Sequence, residues 1–167
     1  MKVAELPMTP RLAQSIMAKR PPDEVILRHG RPLFERWWLA RTPSGSSALT
    51  GNTYLHRFVR SDAEEPHDHP WLNETTVLCG RYVEELFCPV RMTLYAAGKA
   101  TPIARELTAG MTAMREADAI HRIVEVEPGT ITLFETRRKV RDWGFWVDAR
   151  FVPWREYYDV RSAERGA

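Results

Sequence analysis

Hydrophobic and polar residues alternate along most of the chain in the pattern that is typical of β-strands. Short runs rich in β-branched and aromatic residues recur at fairly even spacing, with glycine, proline or charged residues between them. The predicted strands cover residues 24–28, 33–40, 53–60, 74–79, 81–87, 91–96, 103–107, 119–126, 130–136 and 143–151. Many short strands with regular turn signals indicate an all-β sandwich or barrel.

One segment before the strands has the period of a helix. Thr9 can cap the free amides of its first turn, and Pro10 is tolerated at the first helical position. The apolar residues that share one face of this helix are Leu12, Ala13, Ile16 and Met17. We expect the helix to end near Lys19 and to pack against the sheet without a part in the chemistry.

Composition favours a single domain over residues 1–167, with its β core at about residues 24–153. The chain has 167 residues, of which 44% are hydrophobic and 28% are charged, and this is enough for one sizeable core. The proline, glycine and serine run at residues 43–47 predicts a surface loop, because it is too short for a linker between domains. The aromatic residues after position 153 are expected to pack back on the β core.

Charge and cysteine content exclude several classes of function. The formal net charge of +2 is too small to indicate a nucleic-acid partner. Cys79 and Cys88 lack the paired spacing of a thiolate metal site, so we expect core packing for them. No apolar run approaches the length of a membrane span, and the N-terminus lacks the apolar region of a signal peptide. A cytoplasmic location is therefore expected.

The candidate chemistry lies in the stretch Glu65-Pro66-His67-Asp68-His69-Pro70-Trp71-Leu72-Asn73-Glu74. In an extended segment, side chains two residues apart point to the same face, so His67 and His69 present two imidazoles side by side. Imidazole is a common ligand for zinc, iron, nickel and copper. Asp68 is expected to point away from the metal, toward solvent or a strand end.

These residues resemble the first motif of the cupin superfamily, G-x5-H-x-H-x3,4-E-x6-G. His67, His69 and Glu74 fit it, Gly80 closes it one residue early, and Ser61 occupies the position of the leading glycine. In the second cupin motif, G-x5-P-x-G-x2-H-x3-N, the first glycine lies eleven residues before the histidine. Gly110 and His121 have this spacing. Its proline, second glycine and asparagine positions are occupied by Glu116, Asp118 and Glu125.

The resemblance implies a small cupin-type jelly-roll barrel with a divalent metal inside. His67, His69 and His121 would be ligands, and Glu74 would be the fourth. Some members of the superfamily bind iron with three histidines alone. Three neutral nitrogen ligands leave room for water, substrate or dioxygen, as a catalytic site requires. Iron(II) is the favoured metal, and manganese, nickel or zinc would accept the same ligands.

Residues on the neighbouring strands supply candidates for catalysis and substrate binding. If Glu74 faces inward and the alternation continues, Tyr82 and Glu84 line the pocket as proton donor and acceptor. His56 lies on a strand that leads toward the site, so it is a third candidate. The residues expected to bind substrate are Arg115, Arg57 and Trp71. Guanidinium groups in a barrel mouth indicate a small polar or anionic substrate.

Three functions fit these patterns. The first is an Fe(II) dioxygenase-like oxidoreductase that acts on a small polar or anionic molecule. The second is a metal-dependent isomerase, epimerase or lyase without redox chemistry, and the third is a small-ligand-binding protein without turnover. The expected partners are a small-molecule substrate and a second copy of the chain in a homodimer, since pairing would bury an exposed strand edge.

Overall fold

The computed structural model describes residues 7–28, 30–42, 50–61 and 65–163, so the loop predicted at residues 43–47 lies outside the described residues. Strands dominate, as the sequence predicts. The strands are β1 (Glu24–Arg28), β2 (Arg31–Ala40), β3 (Thr50–Phe58), β4 (Asn73–Cys79), β5 (Arg81–Phe87), β6 (Ile103–Thr108), β7 (Thr112–Arg115), β8 (Ile120–Val126), β9 (Ile131–Arg137), β10 (Gly144–Val147) and β11 (Arg150–Pro153). The helices are α1 (Pro10–Lys19), α2 (Met92–Ala96) and α3 (Trp154–Ala163).

The first sheet has six strands in the order β1-β2-β3-β9-β4-β7, and its paired strands are antiparallel. One face of this sheet packs against α1, where Ala13 of the helix joins Trp37, Leu55 and Leu78 in a buried cluster. The predicted packing helix is confirmed in position and in its Thr9 cap, whose hydroxyl accepts a hydrogen bond from the amide of Leu12.

The second sheet is made of two parts that the histidine segment joins. Strands β6-β5-β8 form one part and the hairpin β10-β11 forms the other. His67 makes antiparallel bridges to His121 of β8 and to Phe145 of β10, so a single residue lies between the two parts. The backbone N–H of each of His67 and His121 donates to the carbonyl of the other at 2.9 Å.

The hydrophobic core lies between the two sheets. One cluster contains Phe58 and Val77 from the first sheet together with Tyr82, Leu107 and Val126 from the second. The inward residues of β4 are Asn73, Thr75 and Val77, while Glu74 and Thr76 lie on the opposite face and are more exposed. The alternation along each strand therefore decides which residues reach the interior.

Three local predictions from the sequence differ from the structure. Residues 91–96 were expected to be a strand, but they continue a 3₁₀ turn at Pro89–Arg91 into α2. Met92 and Tyr95 are spaced for one helical face and pack with Phe87, which explains the helix. The predicted strand at 143–151 is a hairpin that turns at Asp148 and Ala149, both with positive φ, and β7 is a short strand that the pattern did not show.

The aromatic tail after residue 153 forms α3, which packs back on the β core as predicted. The ring of Tyr157 stacks on Phe145 with centroids 3.8 Å apart. Among the described residues, no helix is long and apolar enough to cross a membrane.

Gly80 connects the two sheets through the turn between β4 and β5. Its φ is +78°, and a Cβ built there would lie 2.9 Å from the backbone Cα of Thr130. Gly98 has a similar φ of +67° but has nothing within 4 Å of the same Cβ position. A substitution at Gly98 therefore adds backbone strain alone, whereas a substitution at Gly80 adds backbone strain and a steric clash.

We expect Gly80→Ala to lower the free energy of unfolding by at least about 3 kcal/mol, because strain and clash act together. The matched variant Gly98→Ala should lose only about 1 kcal/mol, the cost of the left-handed conformation alone. Chemical denaturation of both variants measures the difference. Equal losses would show that the added methyl group is accommodated beside Thr130 without a further loss in the free energy of unfolding.

Candidate metal centre

Three histidines converge between the two sheets. His67 and His69 come from the segment that crosses between the sheets before β4, and His121 comes from β8. The backbone bridge between His67 and His121 sets the spacing of their side chains. The amide of His69 is held by the carbonyl of Ala117 at 3.2 Å. Each ligand is therefore positioned by main-chain hydrogen bonds.

The ligating nitrogens of the three histidines lie within 4.8 Å of one another. The Nε2 atoms of His69 and His121 are 2.9 Å apart. Adjacent nitrogen ligands of a metal bonded at about 2.1 Å are separated by about 3 Å, so small side-chain shifts would close the triad around an ion. The convergence of three imidazoles confirms that the region can hold a divalent metal, and it leaves the identity of that metal open.

Hydrogen bonds set the tautomers of two ligands. His67 Nδ1 lies 3.2 Å from the carbonyl oxygen of Glu65, and His121 Nδ1 lies 3.2 Å from Glu84 Oε2. Carbonyl and carboxylate oxygens accept only, so both Nδ1 atoms carry the proton and both Nε2 lone pairs are available. His69 Nε2 must then donate to His121 Nε2, and for His69 to hold an ion through Nε2 this proton would move to its own Nδ1.

Burial keeps the three imidazoles neutral. Desolvation and the nearby His121 lower the pKa of His67 to about 3. Burial and the neighbouring histidines lower the pKa of His69 well below its usual range. Burial also lowers the pKa of His121, although its hydrogen bond to Glu84 opposes the change. Neutral imidazole is the form that binds a metal, so the site favours ligation at neutral pH.

Glu84 is the buried carboxylate beneath the triad. It has no exposed surface and accepts hydrogen bonds from Arg105, Arg115 and His121. Burial alone would raise the pKa of Glu84, but the hydrogen bond from His121 and the charge of Arg115 lower it to about 2. Glu84 is therefore ionised, and it holds His121 as the carboxylate of a carboxylate–histidine–metal arrangement does.

Arg115 is fixed by four neighbours. Its guanidinium donates to Glu84 at 2.5 Å, to the hydroxyl of Tyr82 at 2.9 Å and to Thr75 Oγ1 at 2.9 Å. It also reaches Asn73 Oδ1 at 3.5 Å. These contacts show that Arg115 supports Glu84, and because Arg115 also lines the cavity, its expected part in substrate binding stays a prediction.

Asp68 anchors the histidine segment from the opposite side. Its side chain is almost fully buried, so of the two expected contacts, with solvent or with a strand end, it makes the second. Asp68 Oδ2 pairs with Arg141 Nη1 at 2.5 Å, and Oδ1 accepts the amide of Gly144 at 2.9 Å. Arg141 also donates to the carbonyl of Ala117 at 3.0 Å. Asp68 points away from the triad, as predicted, and ties it to the start of β10.

A cavity of about 370 Å³ opens beside the triad. Among the described residues that line it, the three histidines form one part of the wall and aromatic rings form much of the rest. The aromatic lining residues are Phe34, Tyr54, Phe58, Trp71, Tyr82, Phe134, Trp143, Phe145 and Tyr158. A largely apolar cavity with a few polar groups is the usual form of a small-molecule site.

Glu74 is not brought to the triad. Asn73 and Thr75 face inward and contact Arg115, so the residue between them lies on the other face of β4. The inward residues His67, His69, Trp71, Asn73 and Thr75 are spaced by two, so the alternation itself places Glu74 on the opposite face. The expectation that Glu74 is the fourth ligand, which came from the motif, is corrected, and the carboxylate that contacts the triad is Glu84, through His121.

Arg57 also lies away from the cavity. It follows Leu55 by two residues and shares the α1 face of the first sheet, where it pairs with Glu35. Its side chain is 46% exposed. The expected role of Arg57 in substrate binding is therefore corrected by the alternation of β3, whose cavity-facing residue at this level is His56.

The other predicted site residues lie at the cavity. Tyr82, His56 and Trp71 line it, and Glu84 lies under its wall. Arg36 Nε donates to His56 Nε2 at 3.0 Å, so His56 is neutral with its proton on Nδ1. Burial, followed by the charge of Arg36, lowers the pKa of His56 well below its usual range. Their predicted catalytic and binding roles stay predictions.

Sequence reasoning missed three arginines of the cavity wall, Arg28, Arg36 and Arg60. Arg36 is two residues from Phe34, which also lines the cavity, so the alternation of β2 could have shown it. Arg28 ends β1, whose pairing with β2 shifts register after Ile26. Alternation alone therefore could not have placed Arg28.

Solved structures of similar fold are known. DMSP lyase DddQ from Ruegeria pomeroyi DSS-3 is 13% identical, and the match covers 84% of this chain and 78% of that chain with a TM-score of 0.51. KdgF from Halomonas sp. is 21% identical over 70% of this chain and 92% of that chain, with a TM-score of 0.45. A cupin superfamily protein from Desulfitobacterium hafniense DCB-2 is 16% identical over 80% and 91%, with a TM-score of 0.47.

No protein-family model and no curated protein sequence matches the chain. At these low identities the structural matches show the fold alone. The chain has a cupin-type, double-stranded β-helix fold, which confirms the resemblance seen in its motifs. Its two sheets face each other as an open jelly roll and do not close into a complete barrel.

Substitution of Glu84 should be far more costly than substitution of its neighbour Glu85. Glu84→Gln removes the charge that balances buried Arg115, and we expect a loss of about 3 kcal/mol in the free energy of unfolding. Glu85 pairs with Arg122 on the outer face, so Glu85→Gln should change it by less than about 1 kcal/mol. Urea denaturation measures both, and similar losses would contradict the assignment.

Substitution of Asp68 should weaken metal binding without touching a ligand. Asp68→Ala frees the histidine segment from Arg141 and Gly144, and we expect metal affinity to fall by about tenfold or more. Asp142, whose side chain is 83% exposed, supplies the control Asp142→Ala with unchanged affinity. Competition with a chromogenic chelator measures the affinity. Equal affinities of the two variants would show that the anchor does not position the ligands.

Proposed function

We propose that this protein is a metal-dependent enzyme of the cupin fold, an Fe(II) dioxygenase-like oxidoreductase acting on a small polar or anionic substrate. The convergence of His67, His69 and His121 at the wall of an apolar cavity carries the proposal. Iron bound by these residues would supply open coordination positions and electrons for dioxygen chemistry. Three protein ligands are the number that leaves such positions.

The chain's own residues prepare this chemistry. Hydrogen bonds to Glu65 and Glu84 hold two imidazoles with their Nε2 lone pairs toward a common point. Aromatic side chains line the cavity and exclude water from around the ligands. Tyr82 keeps its proton, because burial raises the pKa of its hydroxyl, and it can donate this proton to a bound substrate.

Glu84 does not serve as the general base in this proposal. Its ionised form is committed to two arginines and a histidine, and its low pKa makes it a weak acceptor. Its part is to hold His121. Among the described residues that line the cavity, His56 is the histidine outside the triad, and its neutral ring, with the proton on Nδ1, is a candidate to donate that proton to a bound substrate.

A non-redox lyase or isomerase is the second candidate. The observation in its favour is the ligand set itself, since three neutral nitrogens and open positions also suit zinc as a Lewis acid. In that case the residues that move protons would be Tyr82 and His56. The two candidates differ in whether turnover consumes dioxygen.

Metal content and oxygen consumption test the proposal in sequence. Metal-free protein incubated with Fe(II) should bind one equivalent, and His69→Ala should reduce the bound metal to below about a tenth of that. His56→Asn, which alters the cavity but not the triad, should retain full metal content. Wild-type protein that binds neither iron, manganese, nickel nor zinc would contradict any metal-dependent function.

The iron-loaded protein is then assayed with a panel of organic acids in an oxygen electrode. Substrate-dependent oxygen uptake that disappears in His69→Ala is the expected result. Full turnover by zinc-loaded protein under anaerobic conditions would favour the lyase or isomerase instead.

A further inference from the structure

Four arginines line the cavity among the described residues, Arg28, Arg36, Arg60 and Arg115. Two of them are ion-paired with carboxylates outside the lining, Arg36 with Glu24 and Arg115 with Glu84. A divalent ion on the neutral histidines would add positive charge to this low-dielectric cavity and would favour an anion there.

Arg28 lines the same cavity as the three histidines and is itself buried. Its guanidinium carbon lies 5.7 Å from the centroid of the Tyr158 ring, which also lines the cavity. A buried guanidinium in this wall suits a carboxylate bound in the same cavity as the metal position.

The wall next to His69 is suited to a flat molecule. The indoles of Trp71 and Trp143 lie near-parallel to the His69 ring, at interplanar angles of 20° and 21°. Phe134 adds a further ring 6.2 Å from His69. Aromatic guests gain area and stacking against such surfaces. A polyhydroxylated acid would find one donor there, the buried Nε1 of Trp71, and would leave its other hydroxyl groups against aromatic carbon, which is costly in a buried site.

The volume limits the size of the guest. The cavity of about 370 Å³ corresponds to about twelve water volumes of about 30 Å³ each. A molecule of about a dozen non-hydrogen atoms fills this space.

We infer that the site takes a flat, unsaturated carboxylic acid of about this size, with its carboxylate on the Arg28 side and its apolar body against Trp71 and Trp143. The inference rests on the proposed function, because the metal position marks the reacting end of the cavity. It adds the chemical class of the substrate to that proposal.

Calorimetric titration of the zinc-loaded protein tests the inference with three probes. Cinnamate has the proposed shape and charge, cinnamamide is its neutral isostere, and gluconate is a polyhydroxylated acid of similar size. We expect cinnamate to bind at least about tenfold more tightly than either of the others. Equal or tighter binding of cinnamamide or gluconate would overturn the inference, as would the absence of any cinnamate binding.

Substitutions of two arginines test where cinnamate binds. Arg28→Gln should weaken cinnamate binding at least about tenfold and leave cinnamamide binding unchanged. Arg57→Gln, on the far face of β3, should alter cinnamate binding by less than about twofold. Equal effects of the two variants would overturn the assignment to Arg28. If Arg28→Gln does not fold, the comparison of cinnamate with cinnamamide on the wild-type protein decides the question.

Zinc content, measured first by elemental analysis, separates this inference from the proposed function. A protein that holds one zinc per chain but does not bind cinnamate contradicts the inference. The proposal of a metal site would still stand. A protein that takes up no metal contradicts the proposed function. The same titration on metal-free protein then decides the substrate class, since the arginine and aromatic walls do not depend on the ion.

Discussion

The ionised carboxylate of Glu84 is the constraint on which the interior depends. A buried charge is tolerated only when several donors surround it, and here Arg105 from β6, Arg115 from β7 and His121 from β8 all donate to it. One side chain of β5 therefore determines how three other strands approach one another. It also fixes the orientation of a histidine whose free nitrogen faces the cavity.

The histidine segment shows how a short irregular stretch is made rigid. Residues 65–72 lie outside the named strands, yet main-chain bonds from His67, Asp68 and His69 and the side chain of Asp68 hold them to both neighbouring strands. Such double anchoring keeps ligands in place before an ion arrives, so little conformational entropy is lost on binding. The aromatic rings around them then limit access by water.

Much of this organisation could be predicted because strands have a period of two. That rule gave most of the strands, and the spacing of the motifs gave the three converging histidines. It failed wherever the chain bends or shifts register. Glu74 was expected inward from the motif, although the period of two from His69 places it outward, and the turn at Gly80 shifts the inward set to Tyr82 and Glu84. Contacts between distant residues, such as Asp68 with Arg141, have no local signal in the sequence.

The bridge between His67 and His121 has a consequence for cooperativity. The hairpin β10-β11 can open from β8 through loss of the pairing of His67 with Phe145 or through loss of its pairing with His121. Only the second event separates the two histidines. Opening at that pairing and the occupancy of the site are thus thermodynamically linked, and the amide of His121 would exchange with solvent through an event that also releases an ion.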